Sequence, residues 1–261
     1  MNWLIWRQHR AQLGWTLALF AAACAAMLWT GQAAHHDLGA LRALCTGGGG
    51  DREWMCSDGG TKHFVDTYDY AIPAFEIGVP ALAVVAGALL GAPLVAREFE
   101  QRTHLVAWTQ SVPRRRWYAT KVLALAAPLA VVGGSAGTVA YRIRRPLQDG
   151  GLFTSRWIWF PVIGPAPAAA ALLAFALAVA AGAWLKRTLA AVGVALAGSL
   201  AVILACGQWL ASFRSGPADG GPFWLCEAAY TGILVAVAAL ALVAGWYGTR
   251  ARGAALRLGR S

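Results

Sequence analysis

GAPLVAREFEQRTHLVAWTQSVPRRRWYATK, residues 91–121, is the stretch whose reading decides how this chain folds. It is the most charged interior part of a very apolar sequence. An apolar run ends at Ala96, and Arg97, Glu98 and Glu100 follow at once. Arg114, Arg115, Arg116 and Lys121 close the segment before the next apolar run begins. Six cations between two membrane-length runs belong on the cytoplasmic side. Glu98/Arg102 and Glu100/His104 stand at i,i+4 with the acid first, the favourable order, so the spacing predicts a short helix over 97–112. Pro113 disfavours the α region for Val112 and ends that helix. Two readings stay open: a basic loop that only fixes topology, or a docking helix that takes force from a soluble partner.

Outward from this segment the chain divides into charge-free runs. Six predicted spans lie at about 13–30, 71–96, 122–141, 165–185, 188–213 and 222–249, each near the 20 or so apolar residues that cross a bilayer. The run from Trp157 to Leu185 is too long for one upright helix. Pro165 and Pro167 resolve this, because proline is tolerated in a first helical turn and disfavoured later. Lys186-Arg187 makes a tight turn between the fourth and fifth spans. Residues 1–12, with Trp3 and Trp6 beside Arg7 and Arg10, predict either an interfacial helix or a frayed basic terminus. A polar loop is expected from Gly31 to Tyr70. No cleavable signal peptide is expected, since the first apolar run is long enough to span and no clear cleavage site follows it.

Composition agrees. Of 261 residues, 58% are hydrophobic and 13% charged, against about 25% charged in a soluble domain. The net charge of +10 does not make a nucleic-acid stripe, because the Lys and Arg gather at the ends of apolar runs. With both termini inside, 14 of the 22 Lys and Arg fall on cytoplasmic segments. Arg142, Arg144 and Arg145 run against that bias, unless the third span continues as a helix beyond the membrane. Of 13 Trp, only Trp54 lies clearly away from a span end or interfacial segment, as an aromatic belt requires. The reading is one all-α transmembrane domain over 1–261, with six spans, an N-terminal interfacial helix and a cytoplasmic helix between spans two and three. It places the chain in the cell membrane with both termini in the cytoplasm.

AREFEQRTHLVAWTQSVPRRRWYATK resembles the RE-x-E-x-G-T … S-x-x-R … K segment between the second and third spans of ABC-2 type transporter permeases. Its Gly-Ala-Pro and Ala-Trp-Thr-Gln-Ser flanks resemble the actinobacterial branch. FALAVAAGAWLKRT and FWLCEAAYTGILVAVAAL resemble the fourth and sixth spans of that branch. Arg102 stands before Thr103 where many relatives have Gly. The resemblance implies the membrane subunit of an ABC exporter that pairs with a second permease copy or a relative. It places Arg97, Glu98, Glu100, Arg102, Thr103 and His104 in the region that couples to an ABC ATPase subunit. The chain lacks a G-x-x-x-x-G-K-[ST] loop, so ATP and Mg are expected on the partner ATPase, and no cofactor on this chain. Extrusion of a hydrophobic or amphipathic compound is the implied cargo class.

Other residues are candidates with a plainer alternative beside each. Glu76 and Glu227 are the acids inside apolar runs, where an ionisable group marks either a substrate pathway or an anchor near the interface. Cys45 and Cys56 share the predicted external loop, an oxidising setting, and a disulfide there would close a loop around Gly47 to Gly50. Spacing does not fix the geometry, so paired and free both stand. Cys206 and Cys226 are a second candidate pair. His35, His36 and Asp37, with His63, Asp66 and Asp69, lack metal-ligand spacing, so no metal site is expected. Gly87/Gly91 and Gly133/Gly137 permit close helix contact, either within the subunit or across a dimer. No nucleophile or zinc motif supports catalysis. The classes left are an exporter subunit, a membrane anchor or sensor that recruits a soluble partner without transport, and an intramembrane enzyme.

Overall fold

The computed structural model describes residues 2–46, 58–100, 113–149, 161–211 and 221–258. Among them the chain is all-α, with no strand. The helices are α1 Asn2–Thr46, α2 Asp58–Tyr68, α3 Ala71–Glu76, α4 Gly78–Glu100, α5 Arg114–Asp149, α6 Ala166–Leu185, α7 Thr188–Ala211 and α8 Gly221–Leu258. Six of them, α1 and α4 to α8, are long and apolar enough to cross a membrane.

The bundle is built around α6. Its sequence is apolar on every face, which suits a helix enclosed by others. Of its membrane-length window 72% is buried, against 22% for α1 and for α7. It packs on α4, α5, α7 and α8. Close approach depends on missing side chains. A Cβ on Gly87 would overlap the Ala171 carbonyl oxygen, one on Gly91 that of Phe175, and one on Gly137 that of Gly164. Both small-residue pairs therefore serve packing inside the subunit. The ends of α6 follow from its sequence. Pro165 is the N-cap and Pro167 lies in the first turn. At the other end Lys186 adopts the left-handed conformation (φ 56°) and its N–H donates to Gly182 O at 3.1 Å.

Three boundaries differ from the sequence expectation. The N-terminal segment is no separate interfacial helix: α1 runs unbroken from Asn2 to Thr46, so the predicted loop after Gly31 is helical for another fifteen or so residues. Ala34 is buried, and Ala33, Leu38 and Leu41 pack beside it, so a helical stripe continues past the apolar run. The second span starts at Gly78 rather than residue 71. Pro80 has no N–H to donate to Glu76 and occupies a first-turn position, so the chain breaks at Ile77 and restarts. The helix of the third span, α5, starts earlier than residue 122, at Arg114. Its far end carries Arg142, Arg144 and Arg145 on continuous helix as far as Asp149, the extension that the sequence reading allows for. The expected helix over 97–112 begins as the last turn of α4, not as a separate element, and residues 101–112 lie outside the described residues.

Candidate functional site

At one end of the bundle meet the C-terminus of α4, the start of α5, the α6–α7 turn and the second half of α8. Glu98, in the last turn of α4, accepts a hydrogen bond from Lys121 of α5. The two side chains are 19% and 9% exposed, so this is a largely buried ion pair. Lys121 also stands over the Trp117 ring, 4.5 Å from its centroid, one helical turn earlier on the same face. Such a pair is costly to desolvate and far costlier to break from one side.

Glu100 turns the other way. Its Oε1 accepts from the Thr188 backbone N–H at 2.8 Å, and its Oε2 from Thr188 Oγ1 at 3.1 Å. Thr188 opens α7, whose first N–H groups have no partner within the helix and sit at its positive end. A carboxylate from α4 thus caps α7. The end of α4 is fastened to α5 by one acid and to α7 by the next but one. Around this clamp α8 is held in turn. Tyr118 Oη donates to the Leu242 carbonyl at 2.9 Å and its ring lies 5.6 Å from Trp246, while Trp184 Nε1 donates to Ala244 O at 3.2 Å. Bare backbone at Gly245 and Gly248 lets Tyr118 and Trp184 come this close.

The opposite end holds Glu227 on α8. It is 1% exposed, and neither carboxylate oxygen has a hydrogen-bond partner among the described residues. Oε1 lies against Gly164, whose φ of +62° turns the chain into α6. Val162 and Ile163, on the same turn, are buried, and the Gly164 N–H donates to Gly137 O of α5 at 3.3 Å. The Glu227 carboxyl group therefore sits beside the turn that opens α6. Farther out, Tyr68 donates to Asp37 at 2.7 Å and ties α2 to α1. Burial, and then that bond, raise the Tyr68 phenol above its usual range.

Of the residues expected to couple to a partner, Arg97 is exposed, and Glu98 and Glu100 are engaged within the chain. Arg102, Thr103 and His104 lie outside the described residues, as does Cys56; so do the side chains of Glu76 and Cys45. Cys206 and Cys226 are free thiols. His35, His36 and His63 are exposed, His36 Nδ1 lying 3.4 Å from Asp37. Sequence reasoning missed Lys121, Trp117 and Thr188 as members of the clamp. The i,i+4 spacing of Trp117 and Lys121 was the available signal; Thr188 gave none.

Residues 17–211 match the family model described as ABC-2 membrane transporter related. No curated protein matches the chain. No solved structure does either. The clamp residues lie inside the matched range, and Glu227 lies beyond it.

Proposed function

We propose, for a chain that belongs to the ABC-2 membrane transporter related family, the role of membrane-spanning subunit of an ATP-driven exporter. Family membership makes it an ABC transporter permease, a multi-pass membrane protein, and implies an ABC ATPase as partner. The finer reading is ours. Two permease copies, or one and a relative, form the pathway. A separate ATPase chain hydrolyses ATP with Mg, and the cargo is a hydrophobic or amphipathic compound. Both termini and the 97–121 segment face the cytoplasm of the cell. Glu227 and Glu76 line or border the route.

The two-sided clamp supports this reading best. Movement of the ATPases pushes on residues 97–112. Because Glu98 binds Lys121 and Glu100 caps Thr188, the push reaches α5 and α7 together, and both pack on α6. The outcome is a choice between two packings of the bundle, which cargo biases through its differential affinity for them. An anchor that only recruits a partner needs no such fastening.

The test uses the permease purified with its ATPase and placed in vesicles loaded with a lipophilic fluorescent dye. Glu98→Gln with Lys121→Met and Glu100→Gln keeps shape and removes both charged links without stranding a buried charge. Dye-stimulated hydrolysis and dye export fall on the order of tenfold while the complex stays assembled. Unchanged export in the triple variant removes the coupling assignment; an assembled complex that never exports supports the anchor instead.

A further inference from the structure

We propose that the Lys186–Arg187 turn is a second seat for the ATPase subunit, receiving an acidic surface of it. The inference rests on the reading above, that this end of the bundle faces the ATPase.

The turn joins two long helices through only two residues. Lys186 closes α6 through its own N–H, and the Arg187 carbonyl accepts from Ala191 N–H at 3.0 Å to open α7. Lys186 is the one non-glycine with positive φ among the described residues. A side chain there costs about 1 kcal/mol that glycine would avoid. Both cations are exposed, and neither has an ion-pair partner among the described residues. Two acids at this end are engaged elsewhere: Glu98 binds Lys121, and Glu100 caps Thr188, the next residue along. Arg97, Arg115 and Arg116 are exposed at the same end, so cations outnumber the one exposed acid, Glu100, among the described residues there.

Continuity with the end of α4 decides between an acidic protein and lipid headgroups. α6 is enclosed by four helices along its length, and its last turn comes to the surface at Trp184 and Leu185. The cationic turn follows at once. Through Glu100 it is also fastened to the end of α4, where the 97–112 segment begins. The two seats would therefore move as one body.

The test is site-specific photo-crosslinking from position 186 or 187 in native membranes, with position 103 as reference, and identification of adducts by mass spectrometry. The expected adduct from 186 or 187 is an acidic peptide of a polypeptide that carries a G-x-x-x-x-G-K-[ST] motif. Adducts to phospholipid alone, or none while position 103 captures that polypeptide, overturn this inference and leave the exporter reading standing. No capture from position 103 either would sink both. Charge is separated from backbone by two variants. Lys186→Glu with Arg187→Glu, and Lys186→Gly with Arg187→Gln, each lower ATPase recovery at low salt, the first on the order of tenfold. Glycine keeps the left-handed turn, so the second variant melts no lower than the parent chain. Unchanged recovery in both variants also overturns the proposal.

Discussion

Lys121 reaches Glu98 across the hairpin between α4 and α5, in surroundings that expose less than a tenth of its side chain. Removing one partner there strands the other's charge, which costs about 3–5 kcal/mol. Lys121→Met should therefore lower the unfolding midpoint in detergent sharply. Adding Glu98→Gln should recover most of the loss, since a neutral pair of similar size is often tolerated in place of a buried ion pair. Two single variants that merely add would show that the pair is not coupled. Glu227 poses the reverse case, a buried carboxyl group with no hydrogen-bond partner among the described residues. Gly164 faces it with φ +62°, so Gly164→Ala meets two penalties, a strained backbone and overlap with Oε1. About 1–3 kcal/mol is expected for the strain. Combining it with Glu227→Ala should relieve the overlap and leave the strain, giving a partial recovery of the melting midpoint. Full recovery would mean that φ costs nothing here.

At the scale of helices, packing distance rests on a few hydrogens. Gly91→Ala places a methyl against the Phe175 carbonyl, and α4 must then move away from α6; overpacking of this kind costs about 1–3 kcal/mol. Gly134→Ala on α5 meets nothing within 4 Å and should be neutral or gain up to about 1 kcal/mol from helix propensity. Equal melting midpoints for the two variants would refute the close-packed α4–α6 contact. This contact was only half legible: the Gly pairs announce a close approach, but not whether it lies within or between subunits. The spans themselves were legible wherever charge or proline punctuates them, as at Pro165 and Lys186. Where polar residues ride on a helical apolar stripe, as at His35, His36 and Asp37 on α1, a loop was expected and a helix continues. The clamp was not legible for a related reason. The partners of Glu98 and Glu100 four residues on lie outside the described residues, and the fold adds Lys121 and Thr188, which sequence distance hides.

For the molecule as a whole, orientation is the property on which the transport reading turns, and the fold says where to probe it. Labelling Lys121 itself would be uninformative, because the residue is 7% exposed and no reagent reaches it from either face. Arg97, Arg115 and Arg187 are exposed at the clamp end, and His36 and His63 at the opposite end. The natural cysteines are first replaced by alanine or serine. Single cysteines at positions 97 and 187 should then resist a membrane-impermeant maleimide on intact cells and react after permeabilisation. Cysteines at 36 and 63 should react on intact cells at once. The aqueous maleimide sorts the two ends because a charged reagent cannot cross about 30 Å of hydrocarbon. Reaction at 97 or 187 from outside would put the clamp beyond reach of any cytoplasmic ATPase. In that case the cationic end would face away from the energy source, and neither seat proposed for the ATPase could be occupied.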